Sequence, residues 1–213
     1  AAVSLGLGSV FYIFAIQRTT IANVAFLTSA APFITAVLGW LILGERVLHA
    51  TWACIALALA GVAVMVVEGF AFGGWLGNLM ALGTTLTMAG YAIALRYGRH
   101  ADLSPCVMVS GVVTMAVVAP FVGSFEISWH DLALCAIQGV VISAACNVVF
   151  TYCARWVPAA ELTLLSLLEA VLSPFWVWLF IHENPTLWTL VGGAIVLAAV
   201  AGQALAALRA WTP

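Results

Sequence analysis

The chain has 213 residues, 65% hydrophobic and 7% charged, with a mean hydropathy of +1.19. A soluble globular domain carries roughly 25% charged residues, so this composition describes an integral membrane protein. Six arginines and no lysine against eight acids leave a net charge of −2, which excludes a nucleic-acid partner.

Hydropathy, punctuated by charged and turn residues, predicts an all-α polytopic protein. Eight spans are expected at residues 1–16, 21–43, 50–67, 74–96, 104–123, 131–153, 157–181 and 186–208. Barrel strands would be about half as long and would alternate in polarity; the apolar runs do neither. The connectors are short and hold nearly every charge, so no soluble domain is expected. Alternate connectors share a side. One side holds Arg18 with Glu68, Glu126, Asp131 and Glu183, and the other holds Arg46, Arg96, Arg99, Arg155 and Arg209. An excess of arginine marks the cytoplasmic face, so the second side and the C-terminus are expected to be cytoplasmic. The first residue is Ala1, which enters an apolar run directly without the charged region of a signal peptide. The expectation is that the N-terminal part of a longer protein precedes it.

The first spans carry scattered polar groups, among them Tyr12 deep in span one and Thr28 in span two. Pro32 removes a backbone donor and frees the carbonyl of Thr28. Thr84, Thr87 and Tyr91 share a face of span four. Ser143, Asn147 and Thr151 recur every four residues on span six. A single Ser or Thr in such a helix ordinarily bonds back to its own backbone. Convergence of several stripes is what points to a cavity. Small-residue rows at Ser4/Gly8, Ala56/Ala60 and Ala194/Ala198/Gly202 are expected to pack helices closely. Cys54, Cys106, Cys135, Cys146 and Cys153 lie in or beside apolar runs without metal spacing and are read as packing residues.

Span seven is the one around which the chain is organised. Glu169 sits at its middle, roughly 16–18 Å from either end at ~1.5 Å per residue. A carboxylate at that depth costs at least ~2.5 kcal/mol on insertion scales, so it ordinarily faces a cavity or a partner. Thr163, Ser166, Glu169 and Ser173 fall on one face of a helical wheel. Glu169 is either interhelical glue or a substrate-facing carboxyl that exchanges a proton as the cavity opens. Pro174 frees the carbonyl of Ala170 and gives span seven its expected break. The candidate cavity residues are Tyr12, Thr28, Tyr91, Asn147, Ser166 and Glu169, with helix breaks at Pro32 and Pro174.

The shift that lays Trp40 on Trp178 also lays Glu45 on Glu183, Thr28 on Ser166 and Ala31 on Glu169. The two copies have opposite orientation, as in the inverted repeats of secondary transporters. The stretch AAPFITAVLGWLILGERVLHATWACIALALAGVAVM, with a proline in an apolar helix and a Gly-Glu-Arg turn, resembles the EamA-type repeat of the drug/metabolite transporter superfamily. LLEAVLSPFWVWLFIHENPTLWTLVGGAIVLAAV resembles the same element in a second copy. Two departures stand out: Ala170 takes the place of Pro32, and His182 that of the turn glycine.

The resemblance implies a ten-helix fold in which 1–68 are the last three helices of one repeat and 74–210 a complete second repeat. Two N-terminal helices are then expected to be missing. It also implies export of small organic solutes (amino acids, related metabolites or amphipathic drugs) by alternating access in a bacterial inner membrane. Protons are a candidate coupling ion, and a homodimer is admitted as an assembly. No cofactor or metal is expected. A membrane-embedded enzyme and a non-transporting fragment stay open as alternatives. The enzyme reading lacks a deep base, since His49, His100, His130 and His182 all lie in or beside connectors.

Overall fold

A computed structural model of the protein describes residues 1–45, 48–67, 74–121, 128–169, 171–172, 179 and 186–211. Its elements are helical, with no strand among the described residues. Helix α1 spans Ala2–Ile16, α2 Ile21–Thr28 and α3 Ala31–Leu38, which continues as a π-helical turn over Gly39–Leu43. Helix α4 spans His49–Val66 and α5 Trp75–Tyr97. Helix α6, Pro105–Val118, ends in a 3-10 turn over Ala119–Phe121. Next come α7 (Trp129–Ala136), a π-helical segment at Ile137–Ser143, and α8 (Ala144–Cys153). Helix α9 spans Ala159–Leu165 and α10 Leu187–Trp211.

Among the described residues, four helical stretches are long and apolar enough to cross a bilayer: Asn23–Leu43, Trp75–Tyr97, Trp129–Cys153 and Leu187–Ala206. Ala2–Ile16, His49–Met65 and Pro105–Phe121 are apolar but shorter. The chain is thus an all-α polytopic membrane protein, with helices near the expected positions. Side-chain caps set several starts. Thr20 Oγ1 accepts from the Asn23 N–H at 3.2 Å, and Ser128 Oγ from the Asp131 N–H at 3.1 Å. Each satisfies a donor the first turn leaves unpaired. The Ser128 cap is why span six begins at Trp129 rather than at 131.

Polar contacts join alternate connectors at opposite ends of the bundle. At one end Thr19 Oγ1 donates to Asn78 Oδ1 at 2.8 Å, and Asn23 Nδ2 reaches the same oxygen at 3.3 Å. At the other, Arg96 meets Glu45 at 2.6 Å and Arg155 meets Asp102 at 2.8 Å. Arg96, Arg155, Glu45 and Asp102 therefore share one end, as alternate crossing requires.

Two spans are broken rather than continuous. Span two turns at Ser29–Ala30, just before Pro32 enters the first turn of α3, where its missing N–H costs nothing. Span seven turns at Ser166–Leu167, where the Leu167 and Glu169 N–H groups bond to Leu164 O (3.0 Å) and Ser166 O (3.1 Å). Under the shift that pairs Trp40 with Trp178, α2 and α9 begin at equivalent residues, Ile21 and Ala159, and the two turns coincide to within one residue. The break expected at Pro174 lies outside the described residues.

The largest core cluster is built from α3, α4, α9 and α10, with Ala36, Ile55, Val62, Leu164, Leu167 and Val196 buried together. Helices α4 and α10 touch backbone to backbone: a Cβ on Gly61 or on Gly192 would run into the carbonyl of the other glycine. This corrects the expected small-residue rows, because Ala56, Ala60, Ala194 and Ala198 are exposed while Ala58 and Ala199 are buried. Both faces of these helices carry small residues, and the glycines choose the one that allows the closer approach. The Ser4/Gly8 row does pack, against Gly90 and Thr87 of α5. The helix Trp129–Cys153 stands at the periphery, with no part of its most apolar window buried inside the protein.

Candidate functional site

Helices α1 and α6 approach closely because Gly6 has no side chain; a Cβ there would sit 2.8 Å from the Ser110 carbonyl oxygen. Beside this contact, α1, α6 and the π-helical segment with α8 line an open cleft of about 420 Å³. Its polar lining comes from Ser9, Ser110, Thr114, Ser143 and Asn147, and the rest is apolar. Ser9 and Ser110 lie near the middles of their helices, so the cavity is set deep between the two ends of the bundle.

The hydrogen bonds decide what this lining offers. Ser9 Oγ donates to Leu5 O at 3.2 Å, Ser110 Oγ to Val107 O at 2.7 Å, and Thr114 Oγ1 to Ser110 O at 2.9 Å. Asn147 Nδ2 donates to Ser143 O at 2.9 Å. Each hydroxyl has one proton and two lone pairs. With the proton given to the helix, the oxygens face the cavity as acceptors, together with Asn147 Oδ1. The arrangement suits a solute that brings N–H or O–H donors.

Tyr91 does not line the cavity but packs behind α8. Its ring is fully buried and stacks on Phe150 at 5.9 Å, and its hydroxyl lies 2.7 Å from Thr151 Oγ1. Thr151 Oγ1 in turn donates to Asn147 O at 2.7 Å. The Thr151 proton is thereby committed, so Tyr91 is the donor in the first bond. The resulting chain, Tyr91 to Thr151 to the Asn147 carbonyl, fixes the turn of α8 that carries Asn147.

Of the six expected residues, Asn147 lines this cavity, Tyr91 is tied to its helix turn through Thr151, and the other four lie apart from it. Tyr12 is 46% exposed, while Ser9 and Ile13 of the same helix face the cavity. Thr28 bonds back to Val24 O at 2.8 Å beside the break in span two. Ser166 bonds back to Leu162 O at 3.1 Å beside the break in span seven. Glu169 follows that break and is exposed. The face expected to join Thr163 with Ser166 and Glu169 is therefore divided by depth: Thr163 is buried and bonded to Ala159 O at 3.0 Å. Ser110 and Thr114, spaced one turn apart on span five, were readable as a polar stripe but are absent from the expected set.

A second cavity, of about 280 Å³, lies at the arginine-bearing end. It is lined by Thr35 of α3, Glu45, Thr51 of α4, Arg96 of α5 and Glu161 of α9. Arg96 Nε donates to Glu45 Oε1 at 2.6 Å, and Arg96 Nη1 to Arg155 O at 3.0 Å. Glu45 lies in the turn after span two and Glu161 in the first turn of α9. Nothing local in the sequence joins them to Arg96, because the residues come from three separate stretches.

A polytopic helical protein with a solute-sized, acceptor-lined cavity deep between its ends has the build of a membrane transporter. The EamA-like transporter family matches residues 1–67 and 75–204, and the chain belongs to that family. The pseudopaline exporter CntI of Pseudomonas aeruginosa is 25% identical over 195 residues, covering 89% of this chain and 68% of the exporter. The uncharacterized transporter YwfM of Bacillus subtilis is 27% identical over 199 residues, covering 88% of this chain and 67% of that protein. One crystal structure of a protein superposes on 99% of this chain and 78% of its own, with a TM-score of 0.79 at 20% identity, a likeness of fold alone.

Proposed function

We propose that the protein is a secondary exporter of small organic solutes that carry hydrogen-bond donors, working by alternating access. Amino acids and related metabolites are the favoured substrates, with amphipathic drugs as a further class. The observation that carries this reading is the deep cavity in which Ser9, Ser110 and Thr114 have given their hydroxyl protons to backbone carbonyls and keep their oxygens as acceptors, beside the side-chain amide of Asn147. Export is supported by the relative named as a pseudopaline exporter. In this reading residues 1–68 and 74–210 are parts of two inverted repeats that rock against each other, and the paired breaks in spans two and seven supply the bending points. The membrane is the bacterial inner membrane, with the C-terminus on the cytoplasmic side.

Uptake of radiolabelled amino acids and metabolites into proteoliposomes tests this directly. Saturable flux is expected for at least one amine-bearing solute. Asn147→Leu should reduce it at least tenfold, since loss of one hydrogen bond to a charged group is worth roughly tenfold or more. Flux unchanged in Asn147→Leu would move the substrate path away from this cavity.

A further inference from the structure

The second cavity has a surplus of acceptors that the protein itself does not use. Thr35 and Thr51 are 0% and 1% exposed, and both hydroxyl oxygens lack a hydrogen-bond partner among the described residues. Both line the cavity. Buried polar groups are ordinarily paired, so two orphaned hydroxyls on one wall call for a ligand that pairs with them. The charge on the same wall is unbalanced. Arg96 is committed to Glu45 and to the Arg155 carbonyl. Glu161 is a second carboxylate on the same wall, with the Gln203 side chain against it and no arginine bonded to it among the described residues.

We propose that this cavity is a binding site for the primary ammonium group of a small organic amine, held by Glu161, Thr35 and Thr51. The match is one of donors and acceptors. A primary ammonium has three N–H donors and no acceptor, and the cavity supplies one carboxylate and two free hydroxyl oxygens. Among the described residues lining the cavity two carboxylates stand against one guanidinium, which disfavours an anion. A divalent ion finds no group of three His, Cys, Asp or Glu side chains among the described residues. The volume of about 280 Å³ leaves room for a short alkyl body beside Ala36, Gly39 and Leu48.

The site is separate from the deep cavity and its occupancy is read without transport, so its failure is distinguishable from failure of the exporter reading. The purified protein in lipid nanodiscs is titrated with ethylammonium chloride while its thermal unfolding is followed. Tetramethylammonium chloride and sodium chloride are run at equal ionic strength. Ethylammonium is expected to raise the Tm saturably, whereas tetramethylammonium, which has charge but no N–H, should not. Thr35→Val with Thr51→Val should weaken the apparent Kd by roughly tenfold or more, as for lost hydrogen bonds to a charged group. Glu161→Gln should weaken it as well, and Thr35→Ser, which keeps the hydroxyl, should bind as the unaltered protein does. Equal stabilisation by tetramethylammonium would overturn the proposal in favour of a charge-only effect, and equal stabilisation by sodium in favour of an alkali-ion site. Undiminished ethylammonium binding by the double valine variant would overturn it outright.

Discussion

Arg96 and Glu45 meet at 2.6 Å across 51 positions of sequence, with only 13% and 27% of their side chains exposed. The pair fastens the turn after the π-helical end of span two to the last turn of α5. Surface ion pairs are worth up to ~1 kcal/mol, while removing one partner of a buried pair costs ~3–5 kcal/mol. For this half-buried pair, Arg96→Gln is expected to destabilise the protein by about 1–3 kcal/mol on the same scales. Thermal unfolding of Arg96→Gln, Glu45→Gln and the double variant gives the coupling. Strictly additive losses would show that the two side chains do not interact in the membrane.

Glu169 stands exposed after the turn in span seven, and no salt-bridge partner reaches it among the described residues. A charged carboxylate at membrane depth is costly, and we propose that this carboxyl takes part in the transport cycle. Glu169→Gln should leave the fold intact and flatten the pH dependence of flux in proteoliposomes. A pH profile identical to that of the parent protein would reduce Glu169 to a structural residue.

Topology follows from the arginines. Since the structure places Arg96 and Arg155 at one end with their acidic partners, position 99 should be cytoplasmic and position 126 external. In a background lacking the native cysteines, Glu126→Cys should react with an impermeant maleimide on intact cells, and Arg99→Cys only after permeabilisation. The reverse pattern would invert the protein in the membrane.

Asp102 lies in a connector outside the spans. The Ser104 N–H and hydroxyl bond its carboxylate at 3.1 and 2.8 Å, and Arg155 adds a third contact at 2.8 Å. These hold its carboxyl below the usual aspartate range, the Ser104 bonds contributing most. A depressed carboxyl stabilises the folded state above the ordinary value of ~3.9 and ceases to do so as pH falls through its folded value. Asp102→Asn should therefore lower Tm slightly at pH 7, and the difference from the parent should vanish in acid below that window. A difference that persists at the lowest pH would assign the effect to packing instead of charge.

Much of the fold was readable because the bilayer imposes it. Apolar runs of fixed length and arginines confined to connectors located the helices, while the Ser128 cap starts span six two residues before the expected position. The turn in span two falls at Ser29–Ala30, just ahead of Pro32. The equivalent turn at Ser166–Leu167 has no proline and rests on i to i+3 backbone bonds, which leave no mark in composition. Convergence was harder still. A hydroxyl on an apolar helix predicts a bond to its own backbone, which Thr28, Ser166 and Ser9 all make, but not which way the helix faces. The cavity between α1, α6 and α8 depends on how Gly6 seats against Ser110. The pairing of Glu45 with Arg96 likewise depends on three connectors meeting at one end.

The seam between Gly61 and Gly192 has a mechanical consequence. With no side chain between their backbones, α4 and α10 cannot twist about their axes without driving neighbouring side chains such as Met65 and Val196 into the opposite main chain. The two helices therefore behave as one stiff strut. In the alternating-access cycle we propose, deformation would be absorbed away from that strut, in the jointed spans where Ser29–Ala30 and Ser166–Leu167 interrupt the helical ladder.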